Sequence, residues 1–423
     1  MKKIIAFLAL CAFMPNAFAD SAELSHDAEF RLRYKNDMDK DGDATVKDTA
    51  QSFEQRLKWG MTFRAGEKLT ARATLVHNAM WGLNYQDQTP SDVTATGENL
   101  ILVNEAYASW MASDEFMLRA GRGSFTLADG KVIDANDYYN VAKAFDGFMG
   151  TYDAEFARFS FFGVKADDTG NTPGDNEINF YGLSFDFKSL PEVIKMANLH
   201  VLQVNADDQA FAGAVSPKQS QMRYGLTVAG DMAGVMYGLT YAGVTGTVDS
   251  TPETSISSSM MDLYVGYAMP DMMNLMVKAG YHMDSGDDDA TDDTVKTYDG
   301  FHYDKHYNAG LMDVMKWGNL TYMYLNAGLD VAEGMNLGLG YYMFSLSEAK
   351  GAYTAMNTAF SVGADSTRDK SGLGSELDLT LTKKYDDNFE IATRYAMFTP
   401  GELFEGANED AYSQLWIQGK MNF

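Results

Sequence analysis

Glu29-Phe30-Arg31-Leu32-Arg33-Tyr34-Lys35 alternates charged and apolar side chains without a break. A β-strand sends successive side chains to opposite faces, so this stretch has one apolar and one charged face; a helix would need apolar spacings of three and four. The same period recurs along the chain. Phe53, Leu57, Trp59, Met61 and Phe63 interleave with Glu54, Arg56 and Lys58. Met222, Tyr224, Leu226 and Val228 interleave with Gln221, Arg223 and Thr227, and Ile391, Tyr395 and Met397 with Glu390 and Arg394. Eighteen such segments can be placed, the first near residue 33 and the last near 417.

The connections alternate as well. Arg64–Lys68, Ser113-Asp114, Asp231–Ala233 and Ala332–Gly334 are short; Asp39–Ala50, Gly82–Glu98, Gly123–Lys143, Ala206–Ser220, Asp284–Asp304 and Ser347–Gly372 are long and polar. Short turns at one end and long loops at the other are the pattern of a bacterial transmembrane barrel. The reading is an all-β protein: an antiparallel up-and-down transmembrane β-barrel of about eighteen strands, with short periplasmic turns and long extracellular loops.

Composition narrows the class further. The 423 residues carry 33 Lys+Arg against 59 Asp+Glu, a formal charge of −26. That balance argues against nucleic acid, whose phosphates need a basic face. No apolar block reaches the roughly 20 residues of a spanning helix. Residues 1–19 read as an export signal: Lys2 and Lys3, an apolar run from Ile4 to Met14, a break at Pro15-Asn16, and Ala17-Phe18-Ala19 as the cleavage site. Cys11, the sole cysteine, lies inside it, so the mature chain has no thiol chemistry. Residues 20–423 then form one barrel domain in the bacterial outer membrane.

At the C-terminus Leu415, Ile417, Met421 and Phe423 share one face. A last strand ending in Phe is similar to the signal read by the barrel-assembly machinery, which is therefore an expected partner. Trp59, Trp81 and Trp110 suit interfacial girdles facing membrane lipid and lipopolysaccharide. No polar subunit patch breaks the lipid-facing positions, which favours a monomer over a trimer.

Function follows from where charge sits. A charge facing hydrocarbon is costly, so the polar set faces the lumen. This assigns Arg31, Arg33, Arg56, Arg72, Arg119, Arg158, Arg223 and Arg394 to the interior wall, with Lys35, Lys58 and Lys278. Fewer acids join them: Glu29, Glu54, Glu105, Asp262, Glu376, Asp378 and Glu390. The excess negative charge lies in the long loops. Such a wall suits a porin-like channel for passive diffusion of small hydrophilic, anionic solutes; cross-strand pairing of each Arg with a Glu is the competing arrangement. Gly123–Lys143, following Arg119 and Arg122, is the natural constriction.

Around that segment Asn104-Glu105-Ala106-Tyr107, Leu118-Arg119-Ala120-Gly121-Arg122 and Asp146-Gly147 resemble the alginate export family of outer-membrane channels. His302-Tyr303-Asp304-Lys305-His306-Tyr307 resembles a loop of the same family. The resemblance implies an eighteen-strand barrel with an Arg-rich, constricted lumen for an anionic polysaccharide. It also implies that Arg119, Arg122 and Asp146 line the pore. Lys143 stands where the family often has Arg. Polysaccharide export is thus the alternative to small-solute diffusion, and a plugged structural or adhesive barrel is a third.

Two further patterns bear on chemistry. Asp37, Asp39, Asp41, Asp43 and Asp48, with Gly42 between, fit the spacing of a calcium loop; the alternatives are a solvated acidic hairpin and a place for Asp37 in the first strand, so no cofactor is expected unless this loop takes calcium. The six His residues stand in no motif with Ser and Asp, so no enzyme is expected.

Overall fold

The computed structural model describes residues 22–43, 45–82, 101–168, 177–206, 218–250, 252–289 and 291–423. The export signal expected over residues 1–19 lies outside these, as does most of the expected loop 82–98 and the middle of 206–220.

Alternation is expressed as strands throughout. In chain order they are β1 Ala22–Met38, β2 Thr49–Ala65, β3 Leu69–Met80, β4 Ile101–Met111, β5 Phe116–Gly123, β6 Phe145–Asp153, β7 Ala157–Asp168, β8 Glu177–Phe187 and β9 Ile194–Ala206. Then follow β10 Gln219–Met232, β11 Val235–Val248, β12 Thr254–Met269, β13 Leu275–Asp284, β14 Thr294–Val295, β15 Leu320–Ala332, β16 Met335–Leu346, β17 Gly372–Lys384, β18 Phe389–Pro400 and β19 Tyr412–Asn422. β14 is a two-residue strand that pairs parallel with the start of β12. The other eighteen are the expected strands, each antiparallel to its sequence neighbour.

The sheet closes on itself. β1 pairs with β19 from Glu29–Asn422 to Met38–Ser413. Beyond that ladder Phe423 exchanges two backbone hydrogen bonds with Ala28, at 2.8 and 3.1 Å. Among the described residues, closure gives each of the eighteen long strands a partner on both sides, which a membrane demands because hydrocarbon offers no hydrogen bonds. The short turns show their chemistry at Ala233-Gly234, where both residues have positive φ, +52° and +85°, between the paired Met232 and Val235. That is a type I′ hairpin, whose twist matches the flanking strands.

One face of each strand presents apolar side chains outward, among them Leu57, Trp59, Phe148, Leu183, Leu239, Leu325, Leu379 and Ile417. The interior is more apolar than the alternation implies. Phe145, Phe162, Phe180, Leu202 and Val204 point inward and pack with Leu127, Val132, Ile133 and Phe301 from two long connections. A second core joins Ile256, Met260, Tyr322, Phe344 and Phe398 to Tyr303, Val314, Met315, Trp317, Tyr353 and Phe360. Segments 124–144, 298–317 and 353–362 therefore lie inside the barrel. They are bound to one another: the Asp134 N–H donates to the His302 carbonyl at 2.9 Å, Asp304 N–H to Gly130 at 2.8 Å, and Met356 N–H to Val314 at 3.0 Å.

Candidate functional site: the occupied interior

The inward face of β1 and β2 meets the segment 124–144 directly. Arg31 donates to the carbonyls of Asp137 (3.3 Å) and Tyr139 (3.2 Å) and to Asn140 Oδ1 (3.0 Å). Arg56 donates through Nε to Glu29 Oε1 at 2.9 Å and through Nη1 to the Asp137 carbonyl and carboxylate at 2.9 and 3.0 Å. Arg33 donates to the Tyr138 carbonyl at 3.0 Å and lies 3.5 Å from Glu54. Its guanidinium also covers the rings of Tyr138 and Trp416, at 4.2 and 5.2 Å. Fixed, always-charged guanidinium groups are thus the clamps that hold the segment to the wall. Burial would raise the Asp137 carboxyl, but Arg56 and Lys58 hold it below its ordinary value.

The remaining inward arginines divide into paired and unpaired. Arg72 meets Asp27 at 2.9 Å and Glu105 at 3.3 Å; Glu105 also accepts from Thr74 and Ser124. Arg223 meets Asp299 at 3.0 Å and lies over Phe301. Arg158 meets Asp153 at 2.9 Å beside the short turn after β6, half-exposed at that end of the barrel. Arg119 instead donates to the Ser124 carbonyl at 3.3 Å and lies over Tyr107. Arg394 donates to His306 Nε2 at 2.8 Å and lies over Trp416. Among the described residues, Arg31, Arg119 and Arg394 have no carboxylate at ion-pair distance.

Two residues expected in the lumen are elsewhere. Arg122 pairs across the ladder with Asp146, and Asp146 with Lys165. Phe148 and Tyr152, exposed to lipid, lie on the same face of β6 as Asp146, whereas buried Phe145 and inward Met149 lie on the other. The Arg122–Asp146 pair, at 2.7 Å, therefore sits on the outer surface near the loop end of the strands. Arg119 and Arg122 are three apart, and an odd spacing on a strand reverses the face.

The five carboxylates of the calcium-like loop do not converge. Asp37 belongs to β1 and turns inward, where it is 8% exposed and accepts from Tyr412 (2.6 Å) and Gln414 (2.8 Å). Asp39 pairs with Lys47 at 3.2 Å, Asp41 caps the Asp43 amide, and Asp43 caps Thr45. Asp48 Oδ1 accepts from the Lys40 amide. The donor set in this arrangement does not fit a calcium ion.

His302 and His306, whose stretch resembles a loop of the family, lie inside the barrel, and their partners there were not readable from the sequence. His302 is half-buried beside Lys143, whose Nζ lies 3.3 Å from its Nδ1. Burial, with Lys143 and Arg223 adding to it, pushes His302 well below its ordinary value. Burial and nearby Lys305 lower Lys143 to about 8. His306 stacks on Tyr138. Because Arg394 must donate to its Nε2, the His306 proton sits on Nδ1 and is donated to Asp313 Oδ1 at 2.9 Å. Burial lowers its pKa to about 4.

Space remains between these segments and the wall. Cavities of about 330, 240 and 210 Å³ all border Tyr307, whose side chain is 59% exposed between them. The largest is edged by Arg31, Arg56 and Lys420 and by Asp134, Asp137, Asp304 and Glu390.

A family model described as alginate export matches residues 22–418. Among solved structures, the chain is similar to Pseudomonas aeruginosa OccK8 (OprE), at 13% identity and a TM-score of 0.61 over 94% of this chain and 98% of that one. P. aeruginosa OccD3 (OpdP) matches at 14% identity and 0.59 over 95% and 91%. P. aeruginosa OpdK, solved with vanillate, matches at 11% and 0.59 over 94% and 99%. No curated protein matches the chain. With the closed eighteen-strand wall and a match across nearly all of it, the chain belongs to the alginate export family of bacterial outer-membrane β-barrels.

Proposed function

We propose that this barrel is a channel for passive diffusion of small hydrophilic, anionic solutes. The observation that carries the reading is Arg31. It is 5% exposed, on the inward face, and every hydrogen bond it makes goes to a neutral acceptor. Its charge is not cancelled pairwise, and the same holds for Arg119. Elsewhere the wall is a neutral ladder, as at Arg33–Glu54 and Arg56–Glu29. Uncompensated cations in a low-dielectric, narrow passage raise the local concentration of anions. Cavities of a few hundred cubic ångströms around Tyr307 suit small molecules. Vanillate, in the OpdK structure, is a carboxylate of that size.

Export of an anionic polysaccharide is the second reading, favoured by the family match. Three segments packed inside the barrel weigh against a polymer. Neither reading requires bonds to be made or broken, so the protein is a non-enzyme in both. Membrane lipid and lipopolysaccharide would meet its outward face, and the assembly machinery its terminal Phe423.

Reversal potential in a salt gradient across a planar bilayer tests the proposal. An anion-selective potential is expected, reduced by Arg31→Gln. Cation selectivity, or a potential unmoved by that substitution, would refute it. Absence of conductance would make the barrel a plugged, structural one. Current block by a uronate oligosaccharide, with no passage of small anions, would favour polymer export.

A further inference from the structure

Glu376 and Asp378 stand on the inward face of β17, two residues apart, and are 0% and 1% exposed. Glu376 Oε1 accepts the amides of Leu311 at 2.6 Å and Met312 at 2.9 Å, from the segment inside the barrel. Gly310, at φ +83°, is what lets that backbone approach. A Cβ there would lie 2.3 Å from the same oxygen.

Three acid oxygens are then left over. Glu376 Oε2 and both Asp378 oxygens are buried with no hydrogen-bond donor among the described residues. The two carboxyl groups lie two residues apart on one strand, so they project side by side from the same buried face. Neither has a proton to donate if both are ionised. Two adjacent carboxylates removed from water repel strongly, and one proton shared between them removes that repulsion.

The charges facing the pair also argue for one proton. From β18 comes Arg394, on the element beside Asp378. From β16 comes the Tyr342 phenol, and from β19 Tyr412, which donates to Asp37. From the inner segment come Asp313 and His306, the latter neutral because Arg394 donates to it. One guanidinium thus faces the carboxyls of Glu376, Asp378 and Asp313. A second ionised member of the pair would have no counter-charge.

We propose that Glu376 and Asp378 form a buried proton-binding site, with the proton on Glu376 Oε2 donated to Asp378, and that this protonated pair holds segment 304–317 inside the barrel. The gating consequence rests on the channel reading above. Released into water, both carboxyls ionise normally, so the docked state binds one proton more than the released state. Raising the pH therefore favours release, by up to about tenfold in the docked-to-released ratio per pH unit. A bound metal would be the other way to neutralise the pair, but Arg394 already supplies positive charge there.

The test has two arms, using the full-length barrel refolded in lipid. Infrared difference spectroscopy should show a protonated-carboxyl stretch at neutral pH in the wild type that is lost in Glu376→Gln, the isosteric mimic of the protonated state. Its absence from the wild type, or its persistence in the variant, would overturn the site. In bilayers, wild-type conductance should rise several-fold from about pH 6.5 to about pH 9, above the range in which His302 and His306 titrate. Glu376→Gln and, independently, Asp378→Asn should flatten that rise. An identical rise in the wild type and both variants would overturn the gating role. Sensitivity to a chelator with no carboxyl band would identify a metal and also overturn the proposal. Silence of every variant would count against the channel reading, while the infrared band would still decide the proton site.

Discussion

Arg56 grips Asp137 twice, its Nη1 lying 2.9 Å from the carbonyl oxygen and 3.0 Å from Oδ1, while its Nε holds Glu29 on the adjacent strand. One guanidinium, 2% exposed, thereby ties the barrel wall to the segment that occupies the lumen. Arg56→Gln should loosen segment 124–144 and raise single-channel conductance. It should also destabilise the barrel by roughly 3 kcal/mol, toward the low end for a broken buried pair because Lys420 still faces Glu29. Arg158→Ala is the control. Its pair with Asp153 is half-exposed, so a loss of about 1 kcal/mol or less is expected. Thermal unfolding in detergent, followed by the heat-dependent gel shift of folded barrels, compares the two.

Arg119 and Arg122 separate selectivity from surface charge. Arg119 faces inward over Tyr107 without a carboxylate partner, and Arg122 faces outward in its pair with Asp146. Arg119→Ala should lower the anion-to-cation permeability ratio, and Arg122→Ala should leave it unchanged. Reversal potentials of the two variants in the same salt gradient decide this. Equal effects would mean that the assigned faces are wrong.

The wall was legible in the sequence because lipid imposes a strict outward pattern, and all eighteen strands could be placed from it. The occupied interior was less so. The period-two argument treats the inward set as polar, yet Phe159-Ser160-Phe161-Phe162-Gly163-Val164 and Val201-Leu202-Gln203-Val204 carry apolar residues on both faces. Such runs mark strands covered on both sides, and here Phe162, Val164, Leu202 and Val204 are covered by the inner segments. Arg122 and Asp146 were assigned by resemblance against the parity of their own strands. Asp37 was taken for a loop ligand although it shares parity with Arg31 and Arg33, which commits it to the inward face. What local pattern could not reveal is long-range pairing such as His306 with Arg394, 88 residues apart.

Acid should loosen the inner segments through their histidines. His306 has a pKa of about 4 where it is docked, against an ordinary value near 6.5. Its released state therefore binds more protons across that interval, and docking weakens as pH falls from about 6.5 to about 4, by up to about 1.4 kcal/mol per unit for one proton. Above pH 6.5 this contribution is flat. His302 acts in the same direction. Two histidines oppose docking as pH falls, against the single proton by which the Glu376–Asp378 pair favours it, so amide exchange in residues 298–317, corrected for intrinsic rates, should still accelerate across that window. His306→Gln can still accept from Arg394 and donate to Asp313, so it should shrink the slope while leaving docking at neutral pH intact. An unchanged slope would assign the acid response to other groups.

Phe423 offers a test of assembly separate from conduction. Its backbone closes the barrel against Ala28, but its ring is 73% exposed on the lipid side of β19 and supports no interior contact. Phe423→Ala keeps both backbone hydrogen bonds, so the unfolded chain should refold into detergent micelles with a stability close to that of the wild type. If the ring is what the assembly machinery reads, the amount of folded barrel in the outer membrane of cells should nevertheless fall several-fold. Equal loss in micelles and in cells would make the ring a structural element. Equal yield in both would remove it from recognition and shift that role to the rest of the apolar face, Leu415, Ile417 and Met421.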